Sequence, residues 1–154
     1  MATQQMLVKH NYGLRDVAVD GLWKGALAGA AMAGYLMMVT AVLGENPLAV
    51  LSRFTSEGVD VTPLVGAISH LAVSGIYGAM FTVLWHRIGR HSKSGPLALV
   101  GALVFSGLLF VIAELILLPS VQSPLLAVPA LHFGIGHVVY GLVLGGLIAR
   151  SQKD

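Results

Sequence analysis

Ionisable side chains lie within otherwise apolar stretches of this sequence. His70 stands seven residues after the start of one stretch at residue 63, and His132 stands eight residues after the start of another at residue 124. On a helix these positions lie about 10 and 12 Å from the respective ends. Imidazole is an axial ligand of haem iron, and it also suits the magnesium of chlorophyll-type pigments. Two imidazoles at one depth on facing helices therefore predict a site for haem b or a pigment.

A third histidine, His137, and one glutamate, Glu114, lie in the same kind of apolar surroundings. His132 and His137 are five residues apart, so on a regular helix they diverge by about 140° and cannot both bind one small ion. The candidate cofactor-binding residues are thus His70, His132 and His137, and no metal site is predicted. A carboxylate near histidines can also relay protons, which places an alternative site at Glu114. Further polar groups in these stretches come from Ser74, Tyr77 and Tyr140.

The composition narrows the class of protein. Of 154 residues, 56 % are hydrophobic and only 10 % are charged, whereas a soluble domain carries about a quarter charged residues. This excludes a disordered chain and an ordinary soluble enzyme, and a net charge of +2 excludes a nucleic-acid-binding surface. There are no cysteines and no hydrolase, P-loop or dinucleotide motif, so we expect a protein that is not an enzyme.

Four apolar stretches are long enough to cross a membrane, which takes about 20 residues. They cover residues 25–44, 63–85, 95–118 and 124–149 and predict a single four-span domain over residues 1–154. The connection between the first two contains the segment PLAVLSRF, which fits a short surface helix or a plain loop equally well. The connection between the last two is so short that these spans must be antiparallel neighbours.

The basic residues predict the orientation of the spans. Eight of the nine lysines and arginines lie in the N-terminal tail, the second loop and the C-terminal tail, and only Arg53 lies in the first loop. Positive charge favours the cytoplasmic side, so both termini are expected there. The predicted fold is an all-α, integral membrane, antiparallel four-helix bundle in the cell's inner (cytoplasmic) membrane, with the lipid bilayer as its surroundings.

Small residues at four-residue spacing mark the predicted helix contacts, since membrane helices associate through close backbone approach. The glycines assigned to packing are Gly25, Gly29, Gly78, Gly141 and Gly145. The second and fourth stretches also share a Tyr-Gly pair at an offset of 63 residues. This echo fits either a duplicated helical hairpin or coincidence among apolar residues.

The chain resembles a group of small four-helix bacterial and archaeal membrane proteins classed under domains of unknown function. The resemblance is carried by GALAGAAMAGYLMM in the first stretch, ISHLAVSGIYGAMF in the second and LHFGIGHVVYGLVLGG in the fourth. In that group a histidine followed by a Tyr-Gly or Trp-Gly pattern recurs, which corresponds here to His70 in the second stretch and to His132 or His137 in the fourth. The resemblance implies the fold and no activity, and Glu114 has no counterpart in its pattern.

The first functional expectation is a non-catalytic accessory subunit that packs against other membrane subunits of a respiratory or photosynthetic complex. Short loops and glycine-lined helix faces suit that role. The second is a haem or pigment subunit that uses His70 and His132 in electron transfer. The third is a small proton-coupled carrier centred on Glu114. A purely structural hydrogen bond between Glu114 and a histidine, fixing helix register, is the alternative to both cofactor and transport chemistry.

Overall fold

The chain is described by a computed structural model, which covers residues 13–55, 62–88 and 94–151. Within those three ranges every regular element is a helix. Four helical segments are long and apolar enough to cross a membrane: Leu14–Val42, Pro63–Ile88, Gly95–Ser120 and Ala130–Ser151. The prediction of an all-α chain with four candidate spans is therefore confirmed.

Helix α1 runs from Leu14 to Val42 and begins 11 residues earlier than the predicted span. Asp16 stabilises its first turn, because the carboxylate accepts a hydrogen bond of 2.9 Å from the Gly13 backbone N–H. Asp20 and Lys24 form an ion pair one turn apart on the same helix. The apolar stretch predicted from the sequence excludes these polar residues, although they belong to the helix.

Helix α2 is a single turn, Ala49–Ser52, and helix α3 runs from Pro63 to Ile88. The segment PLAVLSRF thus contains a short helix, in which the side chains of Val50 and Leu51 are buried. The carbonyl oxygen of Leu51 lies against Gly66, where there is no room for a side chain. Contact with this glycine holds α2 against the first turns of α3.

Helix α4 runs from Gly95 to Ile112 and continues into a π-helical turn at Ala113–Leu117 and a last short helix, α5, at Leu118–Ser120. The sequence predicted one uninterrupted span over residues 95–118. A π-turn holds one residue more than an α-turn, so it changes the faces that residues after it present.

The predicted fourth span is also interrupted. Pro124–Ala127 forms a 3₁₀ turn that is capped by the Ser123 hydroxyl, and helix α6 begins only at Ala130 and ends at Ser151. Between them Val128 has an extended backbone, with φ −81° and ψ 126°. Pro129 explains this break, because a proline disfavours helical geometry in the residue before it.

The four long helices pack as a sequence of antiparallel pairs. Helix α1 contacts α3 on one side and α6 on the other, and α6 in turn packs against α4. Backbone contact at glycine brings each sequential pair together. A methyl group placed on Gly78 of α3 would overlap the backbone of Gly21 and Gly25 in α1.

The predicted packing glycines lie at these contacts. Gly29 of α1 lies against the Ser74 side chain of α3, and Gly141 of α6 lies 2.6 Å, measured from an added methyl group, from the Ser106 hydroxyl of α4. Gly145 meets the backbone of Leu99 in the same way, at 2.8 Å. The helices have two ends, which we distinguish by name. The terminal end is where α1 begins and α6 ends, and the α2 end is the opposite one.

Candidate functional site

A cavity of about 190 Å³ lies between α3, α4 and α6 at the α2 end. Its wall is apolar except for two histidine rings and a few hydroxyl groups, and Met32 of α1 also lines it. Val73 of α3 and Leu117 of the π-turn line the cavity and are also 47 % and 45 % exposed. Residues that face both the cavity and the outside mark a mouth, so the cavity opens sideways between α3 and the end of α4.

His70 lines one side of the cavity, and two contacts fix the orientation of its imidazole ring. Its Nε2 lies 3.0 Å from the carbonyl oxygen of Gly29, which joins α3 to α1. The ring of Phe54, which follows α2, stacks on the imidazole with 4.0 Å between ring centroids and 22° between planes. Both contacts depend on the close approach of α1 and α3 at Gly29 and on the position of α2.

His137 holds the opposite side of the same cavity. Its Nδ1 lies 3.0 Å from the carbonyl oxygen of Phe133, one turn earlier in α6. The ring of Phe133 meets the imidazole edge-on at 4.7 Å, and the ring of Phe110 from α4 lies 5.7 Å away. Two aromatic rings, from α4 and α6, thus flank this imidazole.

His132, which the sequence paired with His70, lies outside the lining of the cavity. Its Nδ1 is 3.2 Å from the Tyr35 hydroxyl of α1, a contact between α1 and α6. The structure therefore brings His70 together with His137 and places His132 in a different contact. The physical reason is rotation about the helix axis, because residues five apart on α6 point in directions about 140° apart.

The predicted hydroxyl groups gather at this cavity. Ser74, Tyr77 and Tyr140 all belong to its lining. Tyr140 is buried, and its hydroxyl donates a hydrogen bond of 2.8 Å to the backbone carbonyl of Ser74. This bond links α6 to α3 behind the cavity, so Tyr140 fixes the distance between the two helices that carry His137 and His70.

Glu114 lies in the π-turn beside the cavity but outside its lining. Its neighbours Ala113 and Leu117 line the cavity, whereas the Glu114 side chain is half-buried on another face. Among the residues that the structure describes, Glu114 makes no hydrogen bond or ion pair. The predicted Glu114–histidine pair is not formed there, and His70, His132 and His137 bond to other groups.

The cavity does not fit a haem or a chlorophyll-type macrocycle. Both imidazoles have chemistry suited to axial ligation, because each bonds a backbone carbonyl through one nitrogen and leaves the other free to bind. The volume is the obstacle. At about 190 Å³ the cavity is smaller than the roughly 300–1,000 Å³ usual for drug-sized ligands, and a tetrapyrrole needs more space than such a ligand.

Phe54 and Ser69 belong to the site but were not predicted from the sequence. Phe54 lies outside the apolar stretches, and only the short helix before it brings its ring onto His70. Ser69 lines the cavity next to His70 and could have been found from its place on the same helix.

A second polar contact lies far from the cavity. There the buried Lys24 ammonium binds the Asp20 carboxylate and donates a 2.7 Å hydrogen bond to the Ser151 hydroxyl.

Comparison of the chain with models of known protein families, with curated proteins and with solved structures gave no match.

Proposed function

We propose that this chain is a non-catalytic membrane protein that holds a small, ring-containing amphiphile in the cavity between α3, α4 and α6. The single observation that carries the proposal is that Val73 and Leu117 line the cavity and are also exposed, from which we infer a mouth between them. A cavity that opens toward lipid takes its ligand from the bilayer. The cavity volume of about 190 Å³ favours this ligand class over the macrocycle of a haem or pigment subunit.

The proposal includes four crossings of the membrane with both chain ends in the cytoplasm. Helix α4 supports insertion, since its apolar side chains at Leu97, Val100, Val104 and Leu108 are exposed and lipid would cover them. The distribution of lysine and arginine supports the orientation, with eight of nine on the terminal side of the spans. In this arrangement the cavity lies in the outer half of the membrane.

The size and surface of the cavity define the ligand class. An apolar cavity of about 150 Å³ holds benzene, so about 190 Å³ accommodates one substituted six-membered ring. The imidazoles of His70 and His137 and the hydroxyl of Tyr77 supply a few polar groups within the apolar wall. Such a combination is typical of small-molecule sites, where apolar contact gives affinity and few polar groups set orientation.

The test uses protein purified in mild detergent from the membranes in which it is made. Ala113→Phe places an aromatic side chain in the cavity wall, and Val104→Phe adds the same ring to the exposed face of α4 as a matched control. Solvent extracts of each preparation are analysed by mass spectrometry. We expect one small amphiphile to accompany the wild type and Val104→Phe in near-equal amount to the protein and to be absent from Ala113→Phe.

Equal recovery of every lipid from all three preparations would contradict the proposal. An absorption spectrum, recorded before and after dithionite, is taken on the same samples. A Soret band that shifts on reduction, or a far-red band insensitive to dithionite, would show a haem or a pigment and would also overturn it.

The π-turn favours a second candidate function, the proton-coupled carrier. Such turns are frequent at functional sites, and Glu114 is an ionisable group in an apolar helix without a described partner. In proteoliposomes, Glu114→Gln would abolish proton uptake while Glu45→Gln, in the first loop, would retain it. Equal uptake by both variants would exclude this function.

The accessory-subunit role stays a prediction. The exposed apolar faces of α4 are accounted for by lipid contact alone. Co-purification of larger subunits in a fixed ratio would support that role.

A further inference from the structure

Hydrogen bonds to backbone carbonyls fix which nitrogen of each cavity imidazole carries the proton. A carbonyl oxygen only accepts hydrogen bonds, so the nitrogen facing it must be the N–H. For His70 this is Nε2, which faces the Gly29 carbonyl, and for His137 it is Nδ1, which faces the Phe133 carbonyl. In the neutral rings, Nδ1 of His70 and Nε2 of His137 therefore carry lone pairs and can only accept.

These two acceptors have no partner among the described residues, although both rings line the same cavity. A ligand that satisfies them must donate two hydrogen bonds from a body that otherwise contacts apolar groups. Ser69 and Tyr77 also line the cavity, but a hydroxyl can donate or accept and so does not select between ligands. The selectivity of the site follows from the two imidazoles.

We propose that the cavity binds the reduced, dihydroxy form of a benzoquinone-type ring, a hydroquinone, in preference to the oxidised dione. The two hydroxyl groups of the ring donate to Nδ1 of His70 and Nε2 of His137, whereas the dione has only acceptors to offer. This inference rests on the proposed function, because it names the ligand of the same cavity. It concerns binding alone and involves no electron transfer.

The shape of the site agrees with a ring that carries a lipid tail. The cavity has room for one substituted six-membered ring and is too small for a second. The mouth between Val73 and Leu117 opens to the exterior of the helices, where an attached isoprenoid chain would lie among lipid tails. The rings of Phe54 and Phe133 supply the flat apolar walls beside the imidazoles.

The experiment measures dissociation constants of three tetramethyl-substituted rings for the protein in lipid nanodiscs by ligand-detected NMR. The rings are tetramethyl-hydroquinone, tetramethyl-benzoquinone and tetramethylbenzene, which differ only in the groups that meet the imidazoles. We expect the hydroquinone to bind at least roughly tenfold more tightly than the dione, since each accepted hydrogen bond contributes a few-fold. Tetramethylbenzene should bind with an affinity close to that of the dione.

Three variants assign the preference to its residues. His70→Phe and His137→Phe each remove one acceptor, and each should reduce the preference for the hydroquinone several-fold. His132→Phe is the matched control, because this histidine contacts Tyr35 outside the cavity lining, and it should retain the full preference. If His137→Phe does not fold, His137→Leu removes the same acceptor with a smaller side chain and should reduce the preference in the same way.

The outcomes separate this inference from the proposed function. Equal affinity for all three rings, lost in Ala113→Phe, would overturn the hydroquinone assignment and leave the cavity as a binding site. Tighter binding of the dione would also overturn the assignment. Absence of binding by every ring would contradict both. A preference that His132→Phe removes as fully as His70→Phe would overturn the hydroquinone assignment alone.

Discussion

Helices α3 and α4 meet at one end of the molecule and separate at the other. At the terminal end the ring of Phe81 lies 5.2 Å from that of Phe105 and stacks on Trp85, and the Trp85 ring reaches Gly101 of α4. At the α2 end no described pair of aromatic rings joins α3 to α4, and the cavity lies between them. The polar groups of the site lie at the separated end.

The difference between the two ends indicates that the cavity is a defined feature of the helix packing and does not result from loose packing. Glycine contacts hold α1 against α3 and α6 against α4, and the Tyr140–Ser74 bond holds α6 at a fixed distance from α3. With these contacts in place, only the size of the side chains between α3 and α4 decides whether the space is filled. Large rings fill it at one end, and small residues such as Ser69 and Ala113 leave it open at the other.

Replacing a glycine at the closest helix contact should have the largest effect on this arrangement. Gly78→Leu would place a side chain against the backbone of Gly21 and Gly25, which cannot move aside as a flexible side chain could. We expect a loss of more than about 3 kcal/mol in the free energy of unfolding, at the upper end of overpacking costs. Titration with sodium dodecyl sulfate, followed by circular dichroism, measures it.

The matched control for that change is Gly34→Leu. Gly34 lies in α1 with nothing within 4 Å of an added methyl group, so its replacement should leave stability unchanged. Similar losses for the two variants would contradict the assignment of the cost to this contact, because leucine is itself a better helix former than glycine.

Loss of the aromatic contact at the terminal end should have the second-largest effect on the free energy of unfolding. Phe81→Ala removes a ring that is 3 % exposed and leaves a second space between α3 and α4. We expect a loss of about 2 kcal/mol in detergent, below the 3–5 kcal/mol typical of soluble cores in water, because apolar surroundings lower the transfer cost. Met80→Ala, at an exposed position of the same helix, is the control, and an equal loss there would contradict the assignment.

Lys24→Met should have a smaller effect at the same end. The change removes the ammonium that joins Asp20 to Ser151 but retains the length of the apolar stem. Because Asp20 is half exposed and keeps its contact with water, we expect a loss of only about 1 kcal/mol. Arg150→Met changes the net charge equally at an exposed position, and a loss as large as that of Lys24→Met would assign the effect to charge.

The smallest effect is expected at the cavity itself. Ala113→Phe fills space that no protein side chain occupies, so stability should change by less than about 1 kcal/mol and in either direction. The same detergent titration measures it alongside the loss of the bound ligand. A large destabilisation would show that the open space is already closed in solution.

Much of the fold could be predicted from the sequence, because length and apolar character are local properties. The four candidate spans and the glycines at their contacts follow from composition and four-residue spacing. The ends of the helices were harder to predict. Asp16 and Asp20 extend α1 although they are polar, and Pro129 breaks a stretch whose apolar character is continuous.

The site could be predicted in part. Counting residues gave the depth of each histidine, which is why His70 and His132 were paired. Depth does not give the direction of a side chain, and on α6 the direction selects His137 for the cavity. The π-turn at Ala113–Leu117 and the stacking of Phe54 arise from contacts between distant segments, which no local pattern records.

The position of α1 determines which helix contacts can form early, while the chain is still being synthesised. This helix lies between α3, which follows soon after it, and α6, whose Ser151 is 127 residues beyond Lys24. The first hairpin can close on its glycines while the ribosome is still at work, but the other side of α1 has to wait for the last helix. Of the two partners that the structure describes for Lys24, the chain at that stage supplies Asp20 and still lacks Ser151. A nascent hairpin of α1 and α3 thus exposes a surface of α1 that α6 covers in the finished protein.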